Sequence, residues 1–218
     1  VKKTQLLIAV ICLFTLSCAH SQDCVDGINK LPMYGNIKKC KQQIADDSTF
    51  VTDCDKLGTR IDVAKHMIMR GWQYFYNKNL DTAMMRFNQA WLLDSANSEI
   101  YWGFGDILGA QGQFKQSIPF FERSLKLKND NARVWEDESV SYGNMFFQTK
   151  DVKFLNSTIY LLKRAIVLDP KNARLYGQLT ASYSYFMQKD SARKYLNITD
   201  QLNPNAVNPQ VRTMLENK

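Results

Sequence analysis

From Ala64 onward the chain repeats itself with a period of 34 residues, and a period of that length restricts the fold more than any other feature here. The unit 64–97 places Gly71, Tyr74, Ala83, Phe87 and Ala90 at positions 8, 11, 20, 24 and 27. The unit 98–131 puts Gly105, Leu108, Ser117, Phe121 and Ser124 at the same five positions, with Tyr101 and Phe104 at positions 4 and 7. Small residues at 8, 20 and 27 let two helices approach, while large ones at 4, 7, 11 and 24 fill the space between them. Each unit therefore reads as two helices, too narrow to bury their apolar stripes alone, that share a core when units stack. The unit 173–206 keeps the register with Tyr176, Leu179, Tyr183, Ala192 and Leu196, and its Pro204 at position 32 ends the second helix. The unit 132–172 begins with Trp135, Ser139 and Tyr142 and closes with Leu162, Ala165 and Pro170, but it runs to 41 residues. Its seven extra residues fall near Gln148 to Leu155, as a lengthened helix end or a wider turn. Composition agrees, because 10 glycines and 5 prolines in 218 residues are too few for the turns of a β-sandwich or barrel.

These spacings resemble the tetratricopeptide repeat. The resemblance covers residues 64–206 and implies an all-α, right-handed solenoid of four helical hairpins, 64–97, 98–131, 132–172 and 173–206. Departures are visible. Position 7 holds Arg70 and Glu138 in the first and third units where the family prefers leucine, and position 32 holds Ser95 and Asn129 in the first two. Residues 207–218 are expected to form a final polar helix over the exposed face of the last unit. Residues 22–63 stand outside the repeat as an N-terminal cap, since some forty residues rarely fold alone without a metal or several disulfides. Within that cap Leu31 to Gly35 reads as an extended or turn segment, because the residue before a proline avoids helix. Asp47 to Lys56 carries one short helical stripe, and Gly58 marks a break before the repeats.

Residues 1–21 read as an export signal. Val1-Lys2-Lys3 is a short basic start, with the valine consistent with a bacterial GUG start codon, and an apolar run of 11 residues from Leu6 to Leu16 follows. That run is shorter than the roughly 20 residues needed to span a bilayer and matches a secretory core. Two processing sites compete. Ala19-His20-Ser21 offers small residues for cleavage before Gln22, while Leu16-Ser17-Cys18 resembles a lipobox that would make Cys18 the lipidated first residue, with Thr15 in place of the usual leucine. Both place the chain in a bacterial envelope, soluble in the periplasm or anchored as a lipoprotein, with no membrane contact beyond that anchor. Removing the leader lowers the formal charge from +7 to about +5, a mildly basic solvated surface. No basic run interleaved with aromatics is present, so nucleic acid is not expected as a partner.

Cys24, Cys40 and Cys54 follow the leader at spacings of 16 and 14, which match no zinc pattern. One disulfide among the three, or three buried thiols, are both open in an oxidising compartment. No metal or other cofactor is expected. Gly103 and Gly105 lack the strand and loop of a dinucleotide site and are explained by packing. A thiol nucleophile built on Cys54 and His66, or a hydrolase using Asp106, lacks an orienting third group, so the chain is expected to be no enzyme.

The family resemblance implies a concave groove lined by positions 2, 5, 9, 12 and 13. These are Lys65, Ile68, Trp72, Phe75 and Tyr76 in the first unit and Glu99, Trp102, Asp106, Gly109 and Ala110 in the second. The third supplies Arg133, Glu136, Val140, Gly143 and Asn144, and the fourth Arg174, Gly177, Ala181, Ser184 and Tyr185. Aromatic anchors beside charges are the composition of a protein-binding surface. The competing reading is that Trp72, Phe75 and Tyr76 pack beneath the cap or in the core. The lysine–asparagine clamp by which one subgroup of the family holds a terminal carboxylate is missing at positions 5 and 9. The expected function is a non-enzymatic scaffold that holds another envelope protein or an extended peptide in the groove. The alternative is an envelope glycan stacked on Trp72, Tyr76 and Trp102.

Overall fold

The computed structural model describes residues 24–216, and among them there is no strand. Two short 3-10 helices, Ile28–Lys30 and Pro32–Asn36, precede α1 (Lys41–Asp55). Four antiparallel hairpins follow: α2 (Arg60–Tyr76) with α3 (Leu80–Leu93), α4 (Ser98–Ala110) with α5 (Phe114–Leu127), α6 (Ala132–Thr149) with α7 (Val152–Leu168), and α8 (Ala173–Tyr185) with α9 (Lys189–Leu202). A 3-10 turn, Pro204–Ala206, leads into α10 (Pro209–Glu216). The leader and both of its processing sites, Cys18 included, lie outside the described residues.

The last residue of each repeat starts the next one. Asn97, Asn131 and Asn172 each accept the backbone N–H two residues on, from Glu99, Arg133 and Arg174, a cap worth about 1 kcal/mol per helix. Inside each hairpin the turn needs one residue in the left-handed region: Lys78, Gly112, Lys150 and Met187 have φ of 62°, 76°, 60° and 60°. Only the second unit places a glycine there. The seven extra residues of the third unit lengthen both α6 and α7 and leave a turn of just Lys150 and Asp151.

Packing follows the register. Phe87, at position 24, is completely buried, and its ring lies where a Cβ on Gly71 or Gly103 would stand, 2.8 and 2.3 Å away. Phe121 sits against Gly105 in the same manner, 2.7 Å from where a Cβ would be. One apolar cluster runs through α2, α3 and α4, and a second joins α7, α8, α9 and α10.

The ends depart from the sequence reading in detail. The first helix of the first unit begins at Arg60, four residues before the repeat frame, because the Thr59 side chain caps it through the Asp62 N–H. The cap helix α1 is longer than Asp47 to Lys56, since Cys40 and Gln43 form a reciprocal capping box at its start. Leu31 is extended, as the following proline requires, but Pro32–Asn36 closes into a 3-10 turn with Met33, Tyr34, Gly35 and Asn36 all at positive φ. Of the three cysteines, Cys24 and Cys40 form the disulfide, and Cys54 is a buried free thiol. The buried amide of Asn88 on α3 pins this segment by donating to the carbonyls of Asn29 and Leu31, both at 2.8 Å. At the other end the closing helix is amphipathic rather than simply polar, burying Val211 and Leu215, together with Val207 before it, in the second cluster.

Candidate functional site

The first helices α2, α4, α6 and α8 line one face of the solenoid. At its N-terminal end Lys65, Ile68, Met69, Trp72, Gln73, Tyr76 and Glu99 surround a cavity of about 400 Å³. Trp72 is half-buried. Its indole N–H donates to Glu99 Oε1 at 2.7 Å, and its ring packs against Trp102 at 4.6 Å and edge-on to the core Phe87 at 5.2 Å. Phe75 packs against the first core cluster, whereas Tyr76 stays 59% exposed. The cap segment lies chiefly against α3, so it does not cover this end. Trp72 and Phe75 thus belong partly to the core and partly to the groove.

The centre is ionic. Trp102 donates its indole N–H to Asp137 Oδ2 at 2.9 Å, and the Arg133 guanidinium stands 5.9 Å over the Trp102 ring. Burial pushes the Asp106 carboxyl well above the usual carboxylate range; neighbouring Asp137 adds to this and Arg133 opposes it. Asp137 is pushed up to about 6, by burial first and Glu136 second, against the Trp102 hydrogen bond and the charges of Arg133 and Arg174. Glu136, by contrast, is only 2% exposed and is consumed internally: it accepts Arg174 Nη2 at 2.6 Å and Gln178 Nε2 at 2.9 Å. These contacts tie the third unit to the fourth.

The C-terminal end is apolar. Val140, Gly143, Asn144, Ala181 and Tyr185, five of the positions assigned to the groove, converge with Phe146, Phe147 and Gln178 around a cavity of about 210 Å³. Phe147 and Tyr185 meet edge to face at 5.0 Å. Asn144 turns its amide to the Val140 carbonyl of its own helix, at 2.8 Å. Sequence reasoning missed Phe146 and Phe147, which sit in the lengthened part of α6, and it missed Asp137 and Gln178, which share position 6. The signal available for the phenylalanines was an apolar pair standing just before the insertion.

Among the described residues, the thiol considered as a nucleophile is not activated. Burial, then Asp55 and Asp53, push the Cys54 thiol up, away from the thiolate a nucleophile needs. Among the described residues no group of three or more His, Cys, Asp or Glu could hold a metal ion, and no helix is long and apolar enough to cross a membrane.

This architecture defines the chain as a helical-hairpin solenoid of the tetratricopeptide-repeat fold. Solved structures share it: PilF of Pseudomonas aeruginosa, with a TM-score of 0.60 at 19% identity over 72% of this chain and 68% of that one; MamA, 0.57 at 17% over 65% and 79%; and TTC0263, a thermophilic TPR protein in Thermus thermophilus, 0.56 at 18% over 70% and 79%. At these identities the likeness is one of fold. No family model and no curated protein sequence matches the chain.

Proposed function

We propose that the chain is a non-enzymatic interaction module of a bacterial envelope that holds an extended segment of another protein along this face. The observation that carries the reading is the layout of the groove: an aromatic cavity at one end, an apolar cavity at the other, and mixed charges between them. An extended segment with two apolar anchors flanking polar residues complements that layout. A glycan is less well served, because Trp72 and Trp102 pack on one another and both indole N–H groups are engaged by carboxylates. The export signal read at residues 1–21, and the Cys24–Cys40 disulfide, support the envelope setting, since structural disulfides belong to oxidising compartments.

Crosslinking in intact cells followed by affinity purification is expected to recover a stoichiometric protein partner from the envelope fraction, with Cys24 linked to Cys40. A cytoplasmic, reduced product retaining residues 1–21 would refute the location, and retention on polysaccharide in place of protein would refute the partner class. With the partner in hand, Phe147→Ala and Tyr185→Ala are each expected to weaken binding about tenfold or more. Both side chains are well exposed, at 48% and 39%, so thermal stability should barely change. Trp72→Ala is expected to lower stability and affinity together, because its ring touches Phe87.

A further inference from the structure

Position 7 is a core position of this solenoid: Phe104 and Leu179 are completely buried there in the second and fourth units. In the third unit the same place holds Glu138, and it is buried too, at 4% exposure. A carboxyl in such a place ordinarily acquires a hydrogen-bonding partner, because burying it alone costs several kcal/mol. Glu138 makes no hydrogen bond or ion pair among the described residues. Instead it lines a cleft of about 440 Å³ formed by α5, α6 and α7, which shares no lining residue with the two groove cavities. Leu125 and Leu161 form apolar wall, and Tyr142 and Tyr160 present aromatic rings. The charged groups facing Glu138 are Glu122 and Lys126 from α5 and Arg164 from α7. Arg164 stands 5.3 Å over the Trp135 ring instead of pairing with the acid.

We propose that this cleft binds a small alkylammonium ligand, its cation seated between Glu138 and Glu122 and its alkyl stem lying along Leu125, Leu161 and Tyr142. Glu138 and Glu122 stand close enough to repel one another, and neither enters an ion pair with Lys126 or Arg164 among the described residues. The pair is therefore open to a cation from outside, and the aromatic walls suit an ammonium group. A metal ion fits poorly, since no third acidic ligand joins the pair. An anion would meet the Glu138 carboxyl at the floor. Burial and the nearby Glu122 push that carboxyl up to about 8, so seating a cation must expel its proton at neutral pH. Cation binding and proton release are thereby coupled.

Calorimetry on the full chain at pH 7, in two buffers of different ionisation enthalpy, tests this with 1-aminopentane as probe and 1-pentanol as its neutral counterpart. The amine is expected to bind with release of close to one proton, and the alcohol to bind at least tenfold more weakly. Glu138→Gln mimics the neutral acid, so it should keep the wild-type circular dichroism spectrum, melt no lower than the wild type, and lose amine affinity about tenfold. A parallel titration with Nα-acetyl-lysine amide separates the sources of the amine: tighter binding than 1-aminopentane assigns a protein lysine, weaker binding a free amine. Equal affinity for amine and alcohol, unchanged amine affinity in Glu138→Gln, or no binding of any probe at millimolar concentration would overturn the proposal. Because the cleft shares no lining residue with the groove cavities, partner capture by the groove is untouched by any of these outcomes.

Discussion

Replacing Gly103 by alanine is expected to cost about 3 kcal/mol, at the upper end of what overpacking a core with one carbon does. The added Cβ would stand 2.3 Å from Phe87 Cζ and 2.4 Å from its Cε1, far inside contact distance. The ring has no room to retreat. Its other side rests on Gly71, where a Cβ would be 2.8 Å away, and its edges meet Trp72 at 5.2 Å and Phe104 at 6.3 Å. Gly109, in the same helix, is the internal control: a Cβ there meets only Ser141 Oγ, at 3.9 Å. Gly109→Ala should be neutral or stabilise by up to about 1 kcal/mol, because alanine is the better helix former. Phe87→Ala alone should cost about 3–5 kcal/mol through the cavity it leaves. In the double variant the two losses should fall well short of their sum, since the alanine at 103 then occupies vacated space. Urea denaturation of the four proteins measures all of this. Wild-type stability in Gly103→Ala would mean that α4 does not approach α3 as closely as its glycines allow.

That close approach was legible in the sequence because it recurs. A contact made once per unit leaves the same residue type at the same position in successive units, and Phe87 and Phe121 at position 24 do so. Contacts made once in the molecule leave no such trace. The Asn88 amide reaches carbonyls 57 and 59 residues earlier in the chain, and nothing in the spacing of Cys24, Cys40 and Cys54 selects the pair that closes. Local signals were also missing: three of the four hairpin turns put Lys78, Lys150 and Met187, not glycine, at positive φ. The groove was partly legible for the same reason as the core. Positions 9, 12 and 13 do gather Val140, Gly143 and Tyr185 around one cavity. Phe147 lies at the edge of an insertion that has no register, and Glu136 is engaged by Arg174 and Gln178. The position of Glu138 in the core could be read from the register. Its cleft could not, because α5 and α7 supply the walls and no periodicity fixes how two second helices stand to each other.

The stability of the folded chain is expected to fall as pH rises from about 5 to 8, the reverse of the usual behaviour of a protein held by ionised carboxylates. The sign follows from where the protons are. Glu138 holds its proton up to about 8 in the folded chain against an ordinary value of 4.5, with burial the main cause and Glu122 the second. Asp137 holds its proton up to about 6 against 3.8, and Asp106 is displaced in the same direction. Across those windows the folded chain binds more protons than the unfolded one, so each rise in pH favours unfolding. Asp137 acts mainly below pH 6, Asp106 acts in the same direction, and the range above pH 6 belongs to Glu138. From pH 6 to 8 that single carboxyl should remove about 2 kcal/mol. Exposed acids held low, such as Asp55 beside Arg60 and Asp200 beside Arg212, act oppositely, and only as pH drops below the ordinary carboxylate range. The optimum should therefore lie near pH 5. Urea denaturation at unit steps of pH, on wild type, Glu138→Gln and Glu138→Leu, tests the assignment. Both variants should flatten the profile above pH 6 and exceed the wild type most at pH 8. Because glutamine keeps the shape of the acid and leucine restores the residue typical of the position, agreement between them would isolate the charge as the cause. Profiles parallel to the wild type would show that the carboxyl is solvated in the folded chain, and that position 7 of the third unit opens to water instead of completing the core.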